Sequence, residues 1–157
     1  MPPAKVIFWD FDRTLAFHPS MWNDLTAEVL GERNPRPTPT LAEIRPFLQT
    51  EFPWHTPEIA HPELDSPAKW WERVEKVISR AYVAFGLPEN LADELAAEVH
   101  RRWIDPGGYV VYDDSFPILR ELAGRGWRHF ILSNHVPELP DIATALGLRP
   151  LVEEVIT

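Results

Sequence analysis

The sequence predicts an α/β fold in which a parallel sheet is interrupted, directly after its first strand, by a long helical insertion. Three observations lead there. Short, apolar, β-branched runs at 4–9 ("AKVIFW") and 127–133 ("WRHFILS") read as buried parallel strands. Most of the roughly ninety residues between the first run and "DPGG" (105–108) show apolar positions at helical spacing. Beyond that loop the pattern alternates helix, strand, helix, strand, the order of an open α/β sheet.

Taken in order, the first strand ends at Asp10, in the stretch "FWDFDRTL". Trp22, Leu25, Val29 and Leu30 then recur at helical steps between Ser20, a candidate N-cap, and Gly31, a candidate stop. The prolines of "RNPRPTPT" (33–40) break the chain before a helix expected over Leu41 to Thr50, and "FPWHTPEIAHPELDSP" (52–67) reads as an irregular loop. Ser66-Pro67 is a strong helix start. It opens the clearest amphipathic helix, with Trp70, Val74, Val77, Ala81 and Phe85 expected on one inward face and Gly86 beyond them. A helix from Pro88 to Ile104 follows, then "YVVY" (109–112) as a short extended piece and a helix from Asp113 to Arg125. The strand at 127–133, a helix from Val136 to Leu146 and the start of a third strand in "VEEVIT" (152–157) complete the chain. The expected division is a discontinuous α/β core, 1–15 with 109–157, and an all-helical insertion, 16–108.

With 157 residues, the chain suits one domain, or a small domain carrying an insertion. Fifteen Lys+Arg against 24 Asp+Glu give a formal charge of −9, and no run of Lys/Arg offsets it, so neither a nucleic acid nor an anionic membrane surface is an expected partner. No apolar run approaches the length of a membrane span, and "MPPAKVIF" does not resemble a secretory signal. The absence of cysteine excludes disulfides, a thiol nucleophile and thiolate metal ligation. Cytoplasmic location is the default expectation.

Two carboxylates, Asp10 and Asp12, one residue apart at the end of an apolar run, repel each other unless they cap a turn or hold a cation. Ligands of open parallel sheets bind beyond the carboxyl ends of the strands. Asp10 and Asp12 lie at the first such end, Ser133 and Asn134 at the second. There the sequence resembles the haloacid dehalogenase (HAD) superfamily of phosphohydrolases, through "DFDRTL" (10–15) for its D-x-D-x-T-L motif and "FILSN" (130–134) for its second.

The resemblance implies a Rossmann-like core with a helical cap after the first strand, and it implies roles. Asp10 would be the nucleophile that forms an aspartyl-phosphate, and Asp12 the general acid and base. Ser133 and the backbone N–H of Asn134 would bind the phosphoryl group. Mg²⁺ would be held by the Asp10 side chain and the Asp12 backbone carbonyl. Thr14 would support the loop rather than react. The dehalogenase branch replaces the second acid, so Asp12 favours phosphate esters, with a small phosphorylated metabolite as substrate. Candidates for substrate contacts from the insertion are His18, Trp22, Trp54 and His55. Trp70 and Trp71 read as packing residues, His61 and His100 as ordinary polar residues, and His135 as a weaker candidate for the edge of the site. The pair Asp113-Asp114 reads as a helix cap.

Two parts of the family pattern have no match. A lysine after the third strand and an acid after the fourth cannot be placed: Lys5 begins the first strand, Lys69 and Lys76 belong to the insertion, and Arg13 is a poor substitute. The expectation is a truncated and catalytically incomplete chain. A non-catalytic binding fragment of this fold and a phosphomutase of the same superfamily remain alternatives. Loss of two strands would expose residues 4–9 as a sheet edge through which copies of the chain could associate.

Overall fold

The structure, a computed structural model, describes residues 4–33, 39–56 and 58–157. They divide into two compact units, one formed by residues up to Pro19 with Ile104–Thr157, the other by Ser20–Trp103. Residues 34–38 of the proline-rich break and Pro57 lie outside the described residues.

The first unit is the α/β body. β1 (Lys5–Trp9), β4 (Trp127–Leu132) and β5 (Glu154–Ile156) form a parallel sheet in the order β1-β4-β5. The register pairs Lys5 with Trp127 and Trp9 with Ile131, so β1 and β4 end side by side. A second, antiparallel pair joins β2 (Ala16–Phe17) to β3 (Val110–Val111). This pair corrects the expected boundaries: residues 16–17 are strand rather than helix, and backbone pairing with 110–111 ties them to the α/β body.

Between β3 and β4 runs α5 (Ser115–Gly124), and α6 (Leu139–Ala145) precedes β5. Asp114 occupies the N-cap position of α5, but its side chain makes no capping bond, so capping does not explain the Asp113-Asp114 pair. Gly126 adopts φ 83°, a left-handed conformation that costs a glycine little and turns the chain from α5 into β4.

One face of the sheet is covered. His129 and Ile131 are buried there, and the Trp9 indole N–H donates to His129 Nδ1 at 3.1 Å. That bond leaves the proton of the neutral ring on Nε2, which donates to the Leu119 carbonyl of α5 at 3.0 Å. His129→Leu should lower stability by about 1–3 kcal/mol, because the indole N–H and the carbonyl lose their partner together; urea denaturation checks this. The opposite face is open, with Phe8, Leu132 and Ile156 exposed and Phe8 against Phe130 at 5.4 Å. β1 is therefore not the buried strand expected from its composition. Among the described residues it has one strand neighbour and one covered face.

The second unit is built of helices and turns. α1 (Trp22–Arg33) runs through Gly31 rather than stopping there, and it buries Val29 and Leu30. α2 (Leu41–Ile44) starts with a capping box: the Thr40 N–H donates to Glu43 Oε2 at 2.8 Å, and the Glu43 N–H to Thr40 Oγ1 at 3.4 Å. It ends earlier than expected because Pro46 removes an N–H donor and restrains Arg45, and the chain tightens into a 3₁₀ turn over Arg45–Leu48.

Ser66 precedes α3 (Pro67–Ala84), which is followed by α4 (Glu89–Ile104). The buried face of α3 carries Trp71, Val74, Val77, Ile78, Ala81 and Tyr82. Trp70 and Phe85, expected inward, are only half-buried: the arc is centred on Val74, Ile78 and Ala81, which puts Trp70 at its rim. The Tyr82 hydroxyl donates to the Thr26 carbonyl at 2.9 Å, and burial pushes its ionisation well above the usual phenol range. His100 lies flat on Trp71, 3.7 Å between centroids, and its Nδ1 is 2.7 Å from Glu75.

Candidate active site

The site is assembled in the α/β body from the ends of β1 and β4. The register brings Trp9 beside Ile131, so Asp10 emerges next to Ser133 although 123 positions separate them. Asp10 Oδ1 accepts from the Ser133 hydroxyl at 2.6 Å and from the Phe11 backbone N–H at 2.8 Å. Two donors on one oxygen fix the carboxylate at the mouth of the sheet.

The acidic loop is shaped by buried neighbours. Phe11 and Leu15, 0% and 2% exposed, anchor it from below. The Phe11 carbonyl accepts from the backbone N–H groups of Thr14, Leu15 and Ala16. Arg13 sits at φ 58°, the left-handed conformation that closes the turn, and the Arg13 N–H donates to the Ala16 carbonyl at 2.8 Å. A further tie comes from Ser115, buried at the start of α5, whose hydroxyl donates to the Leu15 carbonyl at 2.8 Å. Thr14 is exposed and lies within the turn.

Asp12 is half-exposed, and its carboxyl is pushed up to about 6, first by burial and then by the charge of Asp10, with Arg13 opposing. Behind it stands His135, with its side chain 2% exposed and Nε2 at 3.7 Å from Asp12 Oδ2. Burial lowers His135 to about 4, so the ring is neutral near pH 7. The Tyr109 hydroxyl lies 3.4 Å from the same Nε2, and His18 meets the Tyr109 ring edge-on at 5.1 Å. Asn134 is exposed in the bend after β4.

Of the residues singled out in the sequence, Asp10 and Ser133 are bonded to each other, Asp12 follows in the same loop and Asn134 follows Ser133. His18 lies in the α/β body, against Tyr109, and not in the helical unit to which it was assigned, because the chain does not leave the body until after Pro19. Trp22, Trp54 and His55 gather in the helical unit around a cavity of about 300 Å³ that Arg45, Gln49 and Phe52 also line. Trp22 and Trp54 stack at 5.7 Å, Phe52 and Trp54 at 4.5 Å. Tyr109 and Ser115 were missed. "YVVY" carried no sign that its first residue meets His135, and Ser115 was hidden behind the more conspicuous aspartates.

No group of three or more His, Cys, Asp or Glu side chains that could hold a metal occurs among the described residues. No described helix is long and apolar enough to cross a membrane.

No family model and no curated protein matches the sequence. Solved structures do. A HAD-type hydrolase from Bacillus subtilis, YfnB, described as bound to magnesium, superposes with a TM-score of 0.60 at 16% identity over 97% of this chain and 62% of its own. A predicted phosphoglycolate phosphatase from Haemophilus somnus gives 0.55 at 16% identity over 98% and 62%. A 2-haloacid dehalogenase from Pseudomonas syringae gives 0.51 at 20% identity over 98% and 64%. The chain thus spans less than two thirds of the length of these proteins, and over the 97–98% of it that superposes it has part of the fold of the HAD superfamily hydrolases.

Proposed function

We propose that the whole protein is a HAD-type hydrolase that cleaves small phosphate monoesters through a covalent phosphoryl intermediate on Asp10, and that these 157 residues, in which the lysine and the distal acid of the family pattern have no match, turn such esters over slowly. The observation that supports this most directly is the 2.6 Å bond from Ser133 to Asp10, which unites the two sequence motifs at one point beyond the sheet. The shared fold alone does not separate phosphatases from dehalogenases, since both occur among the similar structures. Asp12 favours the ester: a carboxyl that holds its proton to about pH 6 can protonate a departing alkoxide, a service that a halide does not need.

The chemistry follows from the residues. The Asp10 carboxylate attacks phosphorus and the bond to the ester oxygen breaks, while that oxygen takes the Asp12 proton. Water then attacks the acyl phosphate and gives a proton back to Asp12, releasing inorganic phosphate and restoring the Asp10 carboxylate. The Ser133 hydroxyl, which donates to Asp10 at 2.6 Å, would turn its O–H to a phosphoryl oxygen once an ester is bound.

A hard divalent cation such as Mg²⁺ would take the Asp10 carboxylate and the Asp12 backbone carbonyl as protein ligands, with water or phosphate oxygens making up the rest. With only one side-chain ligand, the expected affinity is weak. Such an ion supplies charge neutralisation between carboxylate and phosphate.

Turnover of small alkyl and aryl phosphates in the presence of Mg²⁺, with 2-haloacids run in parallel, tests the reading; halide release without phosphate release would defeat it. A pH dependence follows with a definite sign. Asp12 is protonated below about 6 and charged above it, so kcat/KM for alkyl esters should fall roughly tenfold per pH unit above that value, whereas nitrophenyl phosphate, whose leaving group needs no proton, should fall much less.

A further inference from the structure

We propose that His135 is a positioning residue for Asp12 and that, with Tyr109, it holds the Asp12 carboxyl in the orientation from which a proton reaches the leaving oxygen. The chemical part of this inference rests on the phosphate-ester reading; the positional part rests on geometry within the α/β body.

His135 is held far more firmly than the acid it faces. Its side chain is 2% exposed, while that of Asp12 is 42% exposed. Phe11 meets the imidazole edge-on at 5.2 Å, and the Tyr109 ring lies 5.9 Å away. The backbone is pinned as well: the His135 N–H donates to the Ser133 carbonyl at 2.9 Å, and the Thr157 hydroxyl donates to the His135 carbonyl at 3.0 Å. The ring is therefore a fixed object, and Asp12 is a side chain with open water on one side.

A ring needed only to fill space between Phe11 and Tyr109 would be served as well by phenylalanine, without the cost of burying ring nitrogens. Here Nε2 stands before two oxygens, Tyr109 Oη at 3.4 Å and Asp12 Oδ2 at 3.7 Å. The second distance is longer than a hydrogen bond, as is common for catalytic contacts before substrate arrives. Asp10, two positions from Asp12, disfavours a second negative charge beside it, and His135 Nε2 offers the Asp12 carboxyl a fixed polar neighbour that water does not. Small displacements of a reacting group cost large factors in rate, which makes such a support consequential.

His135→Phe, made in the full chain, keeps the ring and removes Nε2. Two esters are compared: an alkyl phosphate, whose poor leaving group needs the Asp12 proton, and nitrophenyl phosphate, whose good one does not. The expected result is a fall of about tenfold in the alkyl-to-aryl kcat ratio with KM nearly unchanged, partial recovery in His135→Gln, and a smaller change of the same sign in Tyr109→Phe. An equal loss on both esters would show that His135 only supports the fold. Crystal structures of wild type and His135→Phe give a readout independent of turnover: the Asp12 carboxyl should leave its present rotamer or spread over several, and an unchanged, equally ordered carboxyl overturns the proposal. Wild-type protein that hydrolyses neither ester would defeat the phosphatase reading alone, and the rotamer comparison would still decide the role of His135.

Discussion

Asp10→Asn is expected to remove phosphate-ester turnover by about 10⁴-fold or more, the scale on which loss of a covalent nucleophile acts. The amide has nearly the same shape and can still accept from Ser133 and from the Phe11 N–H through its oxygen, so the loop should survive the change. What is lost is the attacking carboxylate oxygen, and with it the side-chain ligand for a cation. Two measurements separate these losses from misfolding. Thermal unfolding should move little, because the Phe11 and Leu15 anchors are untouched. The covalent phosphoryl adduct, seen as a mass increase on rapid acid quench of wild type, should be absent from the variant. Retained turnover in Asp10→Asn would exclude the aspartyl-phosphate route. Ser133→Ala, which leaves the nucleophile but removes its partner, should cost about 10- to 10³-fold.

The acidic site was legible because its signal is local. A strand that ends in Asp-x-Asp, and a second strand that ends in Ser-Asn, need only the parallel register to meet, and the pairing of Trp9 with Ile131 supplies it. What was not legible depends on contacts between distant parts of the chain. The burial of His135 comes from Phe11 and Tyr109, and no periodicity near residue 135 announces it. Likewise, Ala16 and Phe17 carry no strong strand pattern by themselves; pairing with Val110 and Val111 makes them strand. The exposure of Phe8 had the opposite origin: composition read β1 as buried, while burial is set by what covers each face of the sheet.

The helical unit offers a second test of large effect, in Trp71→Ala. Trp71 is 3% exposed on α3, stacks on His100 at 3.7 Å, meets Trp70 at 4.8 Å and lies 5.9 Å from Trp22. Removing an indole from such a cluster leaves a cavity that α3 and α4 cannot close without disturbing His100 and its bond to Glu75. The expected loss is about 3–5 kcal/mol. Trp70→Ala, one residue earlier, should cost only about 1–2 kcal/mol, since its ring lies at the rim and is half-buried. Trp71→Phe should fall between them, keeping an aromatic face for His100 while losing the larger ring. Far-UV circular dichroism during urea denaturation is the right observable, because fluorescence would change with the tryptophan count itself. The pair of alanine variants is decisive about helix rotation: the sequence reads both Trp70 and Trp71 as packing residues, with Trp70 on the inward face, the structure buries Trp71 and leaves Trp70 half-buried, and a larger loss in Trp70→Ala than in Trp71→Ala would contradict that orientation of α3.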